Sequence, residues 1–215
     1  MPQTTDAAES VVEPKNRVPL RTLLIYGLPT VGSAFPLFMI QFYYMNYATD
    51  VLLIAPAVMG TIFAVGRFWD AVSDPLIGFL SDKTSSRWGR RRPWLMLAIP
   101  LQAVCFIAIW MPPSGLDGIL IYLWIGILLT GFYTGFTAWD IPHEALGAEL
   151  TIDHHDRSRV FAVRHVAFMF GIFFAFGGMQ YVVNAEESRT AAASVAWISA
   201  VVFSLILMVP AIWIR

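Results

Sequence analysis

Apolar residues run through this chain in long blocks separated by short polar stretches, and the length of the blocks decides the kind of element. Crossing a bilayer core in helix takes about 20 mostly apolar residues. Six segments reach that length, at about 22–48, 51–80, 93–112, 117–141, 160–183 and 191–214. No period-two alternation runs through them, and barrel strands are far shorter, so the pattern predicts helices. The expected fold is an all-α membrane protein in which residues 20–215 form a bundle of six transmembrane helices. The first two segments are long enough to tilt or to extend past the membrane. They also contain Pro29, Pro36, Pro56 and Pro75, whose freed backbone groups neighbouring helices can satisfy. Residues 1–19 are polar and proline-punctuated, which predicts a short disordered tail and not the apolar core of a signal peptide.

Composition agrees with the pattern. Of 215 residues, 57% are hydrophobic and 13% charged, with a mean hydropathy of +0.63; soluble domains carry about 25% charged residues. A net charge of −1 gives no reason to expect a nucleic acid partner. The single cysteine, Cys105, lies in an apolar run and reads as a small buried side chain. Basic residues are more informative by position. Lys15, Arg17 and Arg21 precede the first segment. Lys83, Arg87, Arg90, Arg91 and Arg92 follow the second, and Arg157, Arg159 and Arg164 follow the fourth. The other loops hold only Arg189, beside Glu186 and Glu187. By the positive-inside rule both termini are cytoplasmic.

An ionisable group at the bilayer centre costs at least ~2.5–3.5 kcal/mol on insertion scales, so such groups are usually functional. The second segment has Arg67, Asp70 and Asp74, which share roughly a 60° arc of one helix face, with Ser73 beside them. Two close carboxylates in a low dielectric resist joint ionisation, so the pair can take up a proton or a sodium ion. The alternative is an Arg–Asp pair that only ties helices together, but one arginine cannot neutralise two carboxylates.

Thr137, Asp140 and Glu144 recur on one face at the end of the fourth segment. Ile141-Pro142 follows Asp140, so a kink or local opening is expected there, which would suit a ligand contact. Alternatively, His143 and Glu144 have already reached the cytoplasmic interface. Arg164 can reach Asp140 or a substrate, or can snorkel to headgroups. Gln41 in the first segment suits a ligand contact or an interhelical hydrogen bond equally. No nucleophile–base spacing appears, so no enzyme and no cofactor are expected. His143, Glu149, Asp153, His154 and His155 suggest a metal set only superficially, since their interfacial position reads as solvated charge.

The stretch from Asp70 to Pro93 reads DAVSDPLIGFLSDKTSSRWGRRRP. It resembles the signature of the glycoside–pentoside–hexuronide:cation symporters, the melibiose permease branch of the major facilitator superfamily. The superfamily motif is found as Gly78, Asp82, Lys83, Gly89, Arg90 and Arg91, with Thr84–Trp88 inserted; YATD ending at Asp50 and WDIP at Trp139–Pro142 add to the likeness. The resemblance implies half of a 12-helix fold that alternates access around a central site. It implies coupling-cation contacts for Asp70, Ser73, Asp74 and Thr137, with Na⁺ or H⁺ as the ion. It implies substrate contacts for Asp140 and Arg164, with Glu144 and Gln41 at matching positions. Asp82, Arg90 and Arg91 would form a cytoplasmic gate.

Three departures change the expectation. Ser33-Ala34 replaces a Lys-Asp pair, Glu144 stands where melibiose permease has a sugar-stacking tryptophan, and Gln41 replaces an aromatic. The cation half of the site is kept and the sugar half rewritten, so a glycoside or sugar is expected without melibiose-like specificity. The six helices also imply a second six-helix half, from another chain or a second copy, because alone they would turn Arg67, Asp70, Asp74 and Asp140 toward lipid. Two competing readings are a non-transporting membrane subunit or fragment that keeps the fold, and a transporter of amphipathic solutes.

Overall fold

The computed structural model describes residues 17–213, and these are helical almost throughout. The first segment is a broken rod: α1 (Leu20–Gly27), α2 (Thr30–Phe38), a π-helical stretch (Met39–Tyr43) and α3 (Tyr44–Asp50). Its irregularities follow its prolines. Around Pro29 the hydrogen bonds shorten to three-residue steps, from Val31 N–H to the Leu28 carbonyl and from Gly32 N–H to the Pro29 carbonyl. Pro36 precedes the π-helical stretch by three residues. The remaining helices are α4 (Pro56–Lys83), α5 (Arg92–Trp110), α6 (Gly118–Glu149), α7 (His154–Val183) and α8 (Ser188–Trp213).

Among the described residues five stretches are long and apolar enough to cross a membrane: Leu20–Asp50, Arg92–Trp110, Gly118–Glu149, His154–Val183 and Ser188–Trp213. The second predicted segment, α4, has the length at 28 residues, but its charged side chains keep it out of that set.

Several expected boundaries are corrected. The second helix starts at Pro56, not 51, because proline is pre-organised for the first helical turn and Leu53 just before it has φ +57°. The fourth does not end at 141; helix continues through Pro142 to Glu149. The expected local opening is not seen, because this part of α6 is clamped. Trp139, Pro142 and His143 are all buried, and the Trp139 indole N–H donates to the Leu207 carbonyl at 3.3 Å. The fifth starts at His154, where the Asp153 carboxylate caps it by accepting from His155 N–H (2.8 Å) and Asp156 N–H (3.4 Å). Most of the tail expected over 1–19 lies outside the described residues. Val18, however, is buried, and its N–H donates to Asp156 at 2.9 Å, so the ordered chain begins earlier than predicted.

Small residues set the helix spacing. A Cβ on Gly135 would meet the Gln102 backbone at 2.9–3.1 Å, so α5 and α6 approach backbone to backbone; Gly171 lets α7 meet α2 in the same way. The main core is aromatic, built around Trp110, Tyr44, Tyr47, Phe106 and Phe132. The tyrosine hydroxyls find carbonyls at the end of α5, Tyr44 at Ile109 (3.0 Å) and Tyr47 at Trp110 (3.1 Å). Cys105 is buried beside this core. The outer faces are apolar too, with Phe68, Leu97, Ile127 and Phe173 each at least 70% exposed. Such an all-round apolar surface is what a lipid environment solvates.

Candidate functional site

The acidic pair predicted on the second segment is assembled by two helices, α4 and α6. Asp70 and Asp74 are one turn apart on α4, and Thr137 of α6 sits across from both. Its hydroxyl oxygen lies 3.0 Å from Asp74 Oδ1 and 3.3 Å from Asp70 Oδ1. A hydroxyl has one hydrogen, so it donates to one carboxylate at a time and presents only oxygen to the other. The three oxygens therefore form a cradle with a surplus of acceptors. Arg67 neutralises part of the charge: it is 3.5 Å from Asp70 Oδ2 and lies over the Tyr133 ring at 5.3 Å. Arg67 with Asp70 and Asp74 leaves one net negative charge.

Ser73 is buried next to the pair, but its hydroxyl donates to the Asp70 carbonyl at 3.2 Å. Only its acceptor capacity remains for anything else. Trp69, which the sequence did not single out, ties the helices together beside the cradle by donating to Thr134 at 2.8 Å.

Just under one turn along α6 from Thr137, Asp140 accepts from Arg164 of α7 at 2.7 Å. The guanidinium is 8% exposed and the carboxylate 18%, so this is a largely desolvated, charge-assisted bond. Glu144 stands at the exposed edge, 3.9 Å from the same guanidinium. Arg164 thus joins the predicted substrate residues Asp140 and Glu144. Gln41 does not join them: it is exposed on the π-helical stretch.

Behind this pair is an aromatic sandwich that the sequence did not signal. His143 is fully buried between Tyr26 (ring centroids 4.4 Å) and Trp139 (4.3 Å), and its Nε2 is 3.0 Å from the Tyr26 carbonyl. His143 is therefore not solvated, which removes it from the group of solvated charges that the sequence suggested. Only its i+3 and i+4 relation to Asp140 and Trp139 pointed inward.

The predicted gate residues also come together. Arg91 is 3.1 Å from Asp82, and both Arg91 (2.8 Å) and Arg90 (2.6 Å) reach Glu149 at the end of α6. Glu149 is the partner that sequence reasoning left among solvated charges. Gly89, in the left-handed region at φ +98°, makes the turn that delivers both arginines. At the other end of the bundle Arg189 donates to the Pro112 carbonyl at 2.7 Å, which pairs the loops as an up-and-down topology requires.

Known proteins can now be set beside this geometry. The family model described as MFS/sugar transport protein matches residues 25–215. The chain is 39% identical over 134 residues to the inner membrane symporter YicJ of Escherichia coli, covering 61% of this chain and 28% of that protein. It is 37% identical over 134 residues to a putative glycoside/cation symporter of Escherichia coli, YagG, with the same coverage of 61% and 28%. It is 33% identical over 153 residues to the sodium-dependent lysophosphatidylcholine symporter 1-B of Danio rerio, covering 71% and 29%. The chain thus spans under a third of the length of these relatives. The apolar helices and the inner-membrane relative YicJ make it a multi-pass membrane protein. A match over residues 25–215 covers well over half of the chain, and the chain belongs to the MFS/sugar transport protein family, within the glycoside/cation symporters of the major facilitator superfamily.

Proposed function

We propose that residues 20–215 form one six-helix bundle of a cation-coupled symporter of the inner (cytoplasmic) membrane, with α4 as the second span and both termini cytoplasmic. The observation that carries this reading is the Thr137 hydroxyl placed between the Asp70 and Asp74 carboxylates, with a single arginine nearby. Such a cradle binds a proton or Na⁺ without a second basic group competing for it. Asp140, Arg164 and Glu144 form the solute side. Thr137, which contacts Asp74, precedes Asp140 by under one turn of α6, so cation binding at the cradle is felt at the solute residues. The Asp82–Arg91–Glu149–Arg90 cluster is the cytoplasmic gate, whose ion pairs hold the outward-facing state. A second six-helix half completes the cavity.

The solute we favour is a glycoside or sugar, in keeping with the putative glycoside/cation relative. An amphipathic solute is the second reading. It is favoured by the lysophosphatidylcholine symporter relatives and by Glu144 at the position where a stacking aromatic would hold a sugar ring. Counterflow of labelled glycosides and of labelled lysophospholipid in proteoliposomes, with and without a sodium or proton gradient, separates the two. Gradient-stimulated glycoside exchange that Asp74→Asn abolishes supports the proposal. No flux of either solute when the chain is co-reconstituted with the second half favours a non-transporting subunit.

A further inference from the structure

Outside the acidic sites, the broken start of the first rod opens a groove. Two glycines pull its two parts toward different neighbours. Gly27 of α1 faces Val163 of α7, whose Cγ1 would lie 2.7 Å from an added Cβ. Gly32 of α2 faces Phe203 of α8, with Cβ 3.1 Å and carbonyl oxygen 3.3 Å away. Between them Leu28 and Pro29 make the turn. The chain therefore hugs α8 beyond the turn and leaves it before the turn. The space between α1 and α8 is about 740 Å³ and lined by Leu24, Leu28, Ile206 and Val209, with Arg21 as its charged group. That volume is within the ~300–1,000 Å³ of small-ligand pockets.

The mouth of the groove is chemically distinct from its length. Arg21 is in the first turn of α1 and Trp213 in the last turn of α8, and the guanidinium lies over the indole at 5.3 Å. Among the described residues no carboxylate pairs with Arg21. Arg17 is exposed just ahead of it. An arginine held by a tryptophan at a helix end is an interfacial arrangement, with the cation at phosphate depth and the apolar walls below it.

We propose that the α1–α8 groove binds an anionic phospholipid, its phosphate on Arg21 and one acyl chain along Leu24, Leu28, Ile206 and Val209. Charge complementarity selects this occupant, since a neutral peptide or second copy would leave the Arg21 charge unmatched. Assignment to the cytoplasmic leaflet rests on the orientation proposed above; binding itself does not. Near a membrane surface one arginine contributes ~1 kcal/mol toward an anionic lipid, about fivefold in retention.

The test is native mass spectrometry of the full chain in detergent with equimolar phosphatidylglycerol and phosphatidylcholine. One retained phosphatidylglycerol per chain is expected, preferred about fivefold. Arg21→Gln should remove the preference and Arg21→Lys should keep most of it. Val209→Trp, which fills the groove, should lower retention of both lipids while circular dichroism stays that of the parent. Equal retention of the two lipids by the parent chain, an unchanged preference in Arg21→Gln, or full retention in folded Val209→Trp overturns the proposal. So does disulfide dimerisation of Leu24→Cys, which would put another chain in the groove. Lipid retention needs no transport, so it can succeed or fail independently of symport.

Discussion

Thr137→Val is the substitution that best separates a cation cradle from a structural acidic pair. It keeps the volume and branching of the side chain and deletes one oxygen, which lies 3.0 Å from Asp74 and 3.3 Å from Asp70. If that hydroxyl only satisfies the carboxylates, its loss leaves two under-donated anions, which should attract a cation as well as before or better. If the oxygen is itself a ligand, removing it weakens cation binding. Hydrogen bonds and ligand contacts to charged groups contribute ~1.5–3 kcal/mol, so half-saturating cation concentration should rise about 10- to 100-fold. The assay is the cation dependence of solute uptake or binding in proteoliposomes of the assembled transporter, at fixed solute. Thr137→Ser, which restores the hydroxyl, should return the value to within a few-fold of the parent. A half-saturation point in Thr137→Val equal to or below the parent's would refute the cradle.

Other expectations follow from single contacts. Arg164→Gln leaves Asp140 desolvated without its partner and should cost ~3–5 kcal/mol, seen as a fall in detergent-solubilised melting temperature; adding Asp140→Asn should recover part of it. Glu149→Gln leaves Arg90 with no carboxylate at the gate and Arg91 with only Asp82. The two lost pairs share the half-exposed Glu149 carboxylate and contribute ~1 kcal/mol or less apiece, so cytoplasmic-side alkylation of Glu144→Cys, with Cys105→Ala, should quicken by about 30-fold or less. Gly147→Ala places a Cβ against the Tyr26 hydroxyl and ring. Overpacking of that kind costs ~1–3 kcal/mol, measured as thermal stability, and Tyr26→Leu in the same chain should offset some of it.

What the sequence revealed and what it hid divide along a physical line. Five of the six expected spans were legible because burying about twenty residues in lipid imposes an apolar composition, which the charges of α4 dilute. Asp70 and Asp74 stood out because charge at membrane depth is costly wherever it occurs; that Thr137 reaches both came from the fold. Helix ends were less so: Pro142 looked like a terminus, yet the packing of Trp139 and His143 carries α6 through it to Glu149. That extension carries Glu149 to Arg90 and Arg91. Partner choice was the least visible. Ser73 has the right helix position for the cradle but spends its hydrogen on the Asp70 carbonyl, a rotamer decision that residue spacing cannot encode. His143 has the opposite history: a polar residue next to an apparent helix end became a fully buried layer between two aromatic rings. Side chains whose burial is fixed by one helix can be read from periodicity. Those fixed by more than one, as His143 is by Tyr26 of α1 and Trp139 of α6, require the fold.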